Sequence, residues 1–309
     1  MVKGTCSLCN NDAELVLSHI IPKFVFKSLK ASGRLRSNQS PNKRIQDGKK
    51  LPLLCSNCEE LFSGWEKRAY EDVFLPLSDN SRLRTQIRYG SWALKFAVSV
   101  SWRVLLYSSQ FGLPHLSEKQ RERAREALET WRRFLLGELP HPGRFEQHLL
   151  PLDLIETCNG FTPSPFINRY IMLTSHMEVV YSKSSVTICT KLGRIFLFGF
   201  VQEYISGRWK GTKLHVRSGS IILPRKYVIP TEILMYMNDR ANEAANVLAS
   251  ISAKQGEIIE DTIIQNADEI IDSDIFRAMQ YDIRHSGKEA FKVTEARNRA
   301  NYLSDEVNK

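Results

Sequence analysis

The chain contains no run approaching 18 apolar residues, so no transmembrane helix and no membrane partner are expected. Its opening, Met-Val-Lys-Gly-Thr-Cys, has no apolar signal core; export is not expected, and a cytoplasmic location is. There is no phosphate-binding loop, no dinucleotide fingerprint and no serine-nucleophile elbow, which leaves nucleotide-driven and serine-hydrolase chemistry without sequence support. No internal repeat or low-complexity tract appears, which argues against a solenoid. Cysteine is scarce, at 6 residues in 309. In a reducing compartment, clustered cysteines favour metal over disulfides. Cys158 and Cys189 stand alone and read as small buried hydrophobes. The other four form two pairs, Cys6/Cys9 and Cys55/Cys58, each spaced Cys-x-x-Cys. Four thiolates in that arrangement suit one tetrahedral Zn²⁺.

Acidic residues are nearly missing from one segment. Between Lys23 and Lys50 nine basic side chains stand against one acid, Asp47, while 257–309 carries seven basic and twelve acidic residues. A basic stretch of this kind is the footprint of phosphate-backbone binding. Lys23, Lys27, Arg34, Arg36, Lys43, Arg44, Lys49 and Lys50 are the candidate nucleic-acid contacts.

Patterning predicts an α+β protein. Residues 1–75 form a small zinc-stapled unit and 76–309 a mixed helical and antiparallel-sheet domain, helical over 76–165, β-rich over 168–228 and helical again over 230–302. Ala13–Leu17 and Leu51–Leu54 read as strands leading into the two knuckles, Phe24, Phe26 and Leu29 as a short helix after Pro22, and 31–48 as an exposed loop. Leu61, Phe62, Trp65 and Ala69 give an amphipathic helix after Cys58. Tyr89–Ser108 is an apolar helix. A second helix starts at an N-cap, Ser117, and stops at Gly137. In the β-rich part, Ile171–Thr174, Met177–Tyr181, Val186–Thr190 and Arg194–Val201 read as strands, and Lys213–Arg217 with Ser220–Leu223 as a hairpin across Ser218-Gly219.

Between the knuckles lies Ser18-His19-Ile20-Ile21-Pro22. A histidine can take a proton from an attacking water, a divalent metal can neutralise a scissile phosphate, and basic side chains can hold the flanking backbone. Glu59 directly follows a zinc cysteine at a helix start. If the zinc clamps both knuckles, that helix start is pinned near the strand carrying His19, and carboxylate plus imidazole make a reasonable Mg²⁺ or Mn²⁺ site. Glu66, two turns on, reads as solvent-exposed.

The order Cys-x2-Cys, His-Ile-Ile-Pro, Leu-Leu-Cys-x2-Cys-Glu resembles the HNH endonucleases, the zinc-stapled ββα-metal fold, over about residues 1–70. The resemblance implies that His19 is the general base, that Cys6, Cys9, Cys55 and Cys58 hold structural zinc, and that DNA is the substrate. The chain departs from the family at three places. Ser18 stands where Asp or His usually ligates the metal, and Glu59 where His or Asn is common. Lys50 occupies the usual place of the middle asparagine, for which Asn42 is the nearby candidate. The expectation is a metal-dependent endonuclease with His19, Glu59 and Asn42 at its site, structural Zn²⁺, and Mg²⁺ or Mn²⁺ on Glu59. A role in bacterial defence follows by analogy alone. The alternative is a non-catalytic, zinc-containing nucleic-acid-binding or regulatory protein. Residues 76–309 are then a platform for a protein partner or self-association.

Overall fold

The computed structural model describes residues 2–31, 35–38, 40–78, 85–203, 206–223, 226–265, 271 and 273–290. Internal contacts define two units. The first comprises Met1–Phe26, Gly48–Pro151 and Ser175–Ile229, the second Lys27–Asp47, Leu152–Thr174 and Pro230–Lys309.

In the first unit, β1 (Val2–Thr5) and β2 (Asp12–His19) flank the first knuckle and pair antiparallel. β5 (Lys50–Cys55) pairs with the other edge of β2, setting Leu15 opposite Cys55 and His19 opposite Lys50. The second knuckle begins where β5 ends, and α2 (Ser56–Ala69) grows directly out of it with Cys58, Phe62 and Ala69 turned inward. Residues Ile20 and Ile21 are buried at the exit of β2. Pro22 then leads into α1 (Lys23–Ala31), a place where proline's fixed φ suits a helix start.

The core of this unit is built around α4 (Ser91–Ser109), which is apolar nearly all round and buried accordingly. It packs against α2, against α5 (Glu118–Leu136), and against a four-stranded antiparallel sheet. That sheet has the order β7-β10-β9-β8, from β7 (Gln147–Pro151), β8 (Ser175–Tyr181), β9 (Val186–Leu192) and β10 (Ile195–Gln202). Every residue of β9 and β10 is buried; β10 is a nearly continuous apolar run, whereas β9 also buries Thr187, Thr190 and Lys191. The α5 boundaries match the sequence reading. Ser117 and Gln120 form a capping box, and Gly137 ends the helix at φ 83°.

The second unit holds a small β3–β4 ladder (Arg36–Ser37 with Ser40–Arg44), α6 (Ile167–Leu173), α7 (Thr231–Ala249), α8 (Ala253–Gln265) and the helix Asp274–Ser286.

The expected mixture of helices and antiparallel sheets is present, with four local corrections. The segment around Ile171 is helix α6, not a strand. Its first amides are held by a carboxylate distant in sequence: Asp282 accepts from Asn168 N at 2.8 Å and Arg169 N at 3.3 Å. The hairpin across Ser218-Gly219 does not form; β11 (Ser218–Ile222) pairs instead with β6 (Gln86–Gly90), Gly219 opposite Tyr89. The region 76–165 contains two strands, β6 and β7, among its helices. The exposed loop expected over 31–48 contains the β3–β4 ladder. Part of the expected terminal helix, residues 291–302, lies outside the described residues. Among the described residues, no helix is long and apolar enough to cross a membrane.

Candidate metal centre and the Ser18–Glu59 contact

The two knuckles meet. The sulfurs of Cys6, Cys9, Cys55 and Cys58 all lie within 4.8 Å of one another, with Cys9 Sγ 3.9 Å from Cys55 Sγ. Thiolates at about 2.3 Å from a tetrahedral zinc sit about 3.8 Å apart, so this donor set fits a structural zinc ion. Backbone hydrogen bonds shape the first knuckle. Cys6 N donates to Asn11 O at 2.9 Å and Asn10 N to Cys6 O at 2.8 Å. Asn10 takes φ 61°, a left-handed conformation asparagine tolerates. Cys55 N donates to Cys6 Sγ at 3.3 Å, and Ser7 N to Leu53 O at 3.0 Å, tying one knuckle to the other. Burial works against ionising Cys6, but amide donors from Cys9, Cys55 and Leu8 outweigh it and bring the thiol down to about 7. Burial, with the neighbouring Cys6 charge, pushes Cys58 up. One ready thiolate among crowded sulfurs is a site that a divalent cation would complete.

Ser18, the residue before His19, is fully buried. Its hydroxyl donates to Glu59 Oε2 at 2.6 Å. Strand β2 and the first turn of α2 thus bring together the two side chains that the motif singles out. His19 follows as the last residue of β2 and is half-buried. Around it the backbone is held on both strands: Ile20 N donates to Lys49 O at 3.0 Å, and Lys50 is the ladder partner of His19. Lys23, Lys49 and Lys50 are exposed nearby in the chain and ladder.

The rest of the basic segment is divided. Lys23, Lys49 and Lys50 belong to the first unit; Lys27, Arg36, Lys43 and Arg44 belong to the second. Arg36 is engaged there, donating to Pro41 O at 2.6 Å and Gln255 Oε1 at 3.0 Å. Asn42 is also in the second unit, where its Oδ1 accepts from Ser252 N at 2.8 Å. It is not among the residues assembled with His19 in the first unit. Arg34 and the Arg44 side chain lie outside the described residues.

Two residues at this site, Arg103 and Arg132, have no reading in the sequence analysis, and a third, Glu66, differs from its expected place. Arg103 of α4 is 1 % exposed and donates from Nη1 to His19 O at 2.8 Å. Its Nη2 lies 2.7 Å from Glu66 Oε1, an ion pair without aligned hydrogen-bond geometry. Glu66 is therefore a partly buried partner, not the solvent-facing residue expected. Arg132 of α5 donates to Leu8 O inside the first knuckle at 3.0 Å. The one sequence signal for Arg103 is that it is one of only two cations, with Lys95, in a mostly apolar helix.

Comparison with protein-family models, with curated proteins and with solved structures returns no match.

Proposed function

We propose that this protein is a metal-dependent endonuclease of the HNH type, hydrolysing phosphodiester bonds in DNA. The observation that carries the reading is the 2.6 Å hydrogen bond from Ser18 to Glu59. It fastens a carboxylate to the residue preceding His19, in a segment with a four-cysteine metal centre. A carboxylate and a hydroxyl are both oxygen donors, the kind a hard divalent cation takes. Among the described residues no cluster of three or more acidic or histidine side chains surrounds them. Glu59 is then the one anionic ligand, in keeping with Mg²⁺ sites that retain several waters. Glu59 and the Ser18 hydroxyl would hold the cation, which would supply charge neutralisation at the scissile phosphate and the leaving oxygen. His19 accepts the proton of the attacking water. Lys23, Lys49 and Lys50 hold the flanking phosphates, contacts that position DNA without reading its sequence.

A plasmid-cleavage assay over a series of Mg²⁺ and Mn²⁺ concentrations tests this directly. Wild type nicks or cuts, and His19→Ala loses at least about a hundredfold in rate, the usual size of a general-base contribution, while its zinc content stays unchanged. Equal cutting by that variant removes His19 from the mechanism.

One observation favours a second reading. The ligand position holds a neutral hydroxyl, and that hydroxyl already engages Glu59. A zinc-stapled nucleic-acid-binding protein without catalysis would look the same. It binds duplex DNA with a steep salt dependence, weakens when Lys49 and Lys50 are changed to Gln, and leaves strands intact with every metal.

A further inference from the structure

We propose that Arg103 is a positioning residue for His19, fixing the end of β2 from within the core. The proposal rests on the nuclease reading for its catalytic consequence and on geometry alone for the positioning itself. Arg103 sits between Trp102 and Val104 in the most apolar helix of the first unit. Its one guanidinium reaches three elements. Nη1 donates to the His19 carbonyl at 2.8 Å, Nη2 pairs with Glu66 Oε1 of α2 at 2.7 Å, and Nε donates to Ser99 O of its own helix at 3.2 Å. The group also lies over the Phe62 ring, 5.3 Å from its centroid.

Stability is a poor reason for this arrangement. Desolvating an ion pair costs about as much as the pairing returns, and a well-packed apolar replacement is often as stable or more so. What apolar side chains cannot do is fix a backbone carbonyl. On α2, Glu59 and Glu66 are seven residues apart, two helical turns, and so lie on one face. Glu59 takes the hydroxyl of Ser18; Glu66 takes the guanidinium that holds His19. Two successive residues of β2 are thus tied to one helix face, the first directly and the second through Arg103. Lysine cannot substitute, because a single ammonium lacks the planar fork that serves three directions at once.

The test compares wild type, Arg103→Lys, Arg103→Met and the double variant Arg103→Met/Glu66→Leu, each checked for zinc content and thermal unfolding. Two properties are read: kcat and KM for plasmid cleavage with Mn²⁺, and the titration of the His19 ring by nitrogen-15 NMR. In Arg103→Lys, kcat falls at least tenfold with KM unchanged, and the His19 ring signal shifts or broadens. Arg103→Met leaves Glu66 without its cation and loses stability. The double variant regains that stability but not the cleavage rate or the wild-type His19 titration, a separation that a purely structural role does not produce. Recovery of both by the double variant, or wild-type kcat and His19 titration in Arg103→Lys, overturns the proposal. If wild type itself cuts no DNA, the nuclease reading fails. The His19 titrations then decide the positioning claim alone: altered in the folded variants, it stands; unaltered, it falls.

Discussion

Acidification should weaken the first unit through one buried imidazole. His148, in β7, has a side chain 2 % exposed. Its ring stacks on Phe200 with centroids 4.4 Å apart and lies 5.2 Å from Trp209. Its Nδ1 is 2.7 Å from Thr212 Oγ1, and its Nε2 is 3.5 Å from Glu146 Oε2. Glu146 favours the protonated ring, but its charge is shared with Lys213, 2.6 Å away. Burial outweighs that help and lowers the imidazole from 6.5 to about 4. Between those two values the unfolded chain binds a proton that the folded chain refuses. Stability is therefore whole above the unfolded value and declines as pH falls towards 4. The gap, at about 1.4 kcal/mol per pH unit, amounts to about 3 kcal/mol across that window. Urea denaturation at half-unit steps from pH 7 to pH 4, on wild type and His148→Gln, isolates the effect, since glutamine keeps a polar partner for Thr212 and does not titrate. The wild-type curve should fall more steeply than the variant's by roughly the stated amount. Parallel curves, or a wild type that gains on the variant at acid pH, refute the reasoning.

Elemental analysis should find one zinc per chain. Cys55→Ser/Cys58→Ser should abolish it and strip amide protection from β1 and β2 while β9 and β10 stay protected, because structural zinc supplies on the order of 10 kcal/mol to a segment with little core of its own. Protection of β1 and β2 unchanged in the metal-free protein would falsify that assignment. Gly199→Ala should cost about 1–3 kcal/mol, since its Cβ would meet Ser101 Oγ at 2.5 Å and Ser101 Cβ at 2.8 Å across the α4–β10 contact; thermal unfolding reads the loss, and a melt unchanged from wild type refutes it.

Local sequence was a good guide wherever local chemistry decides the structure. The cysteine spacing points to the four-sulfur cluster because the two cysteines of each knuckle are near neighbours in the chain. α5 was legible to the residue, since a capping box and a left-handed glycine act within one turn of its ends. Legibility failed where distant residues decide. The β-branched run at Ile171 is helical because Asp282, more than a hundred residues later, caps the first amides of α6 and binds the Arg169 guanidinium at 2.8 Å. Ser218-Gly219 looked like a turn, yet β11 pairs with β6 instead. Asn42 appeared close to the motif by chain position, but its amide is used by the backbone around Ser250 and Ser252.

The same contrast holds for the contacts that fix the N-terminal sheet. The β1-β2-β5 sheet buries Leu15, Leu53 and Leu54 but leaves Val2 57 % and Leu17 64 % exposed. Rigidity arrives from elsewhere in the first unit. Phe62 meets Trp102 of α4 edge-on at 6.1 Å, and Phe24 meets Phe96 at 6.3 Å and Phe74 at 5.0 Å. Arg132 of α5 holds the carbonyl of Leu8 in the first knuckle, and Arg103 of α4 holds that of His19. Four sulfurs lie where the knuckles meet, Arg132 ties the first knuckle to α5, and Arg103 ties the end of β2 to α4. A backbone carbonyl is a target that any residue presents, so neither arginine's partner can be read from a motif. Each is set by the packing of α4 and α5. The backbone at His19 is therefore positioned as much by α4 as by the four-cysteine segment in which it lies.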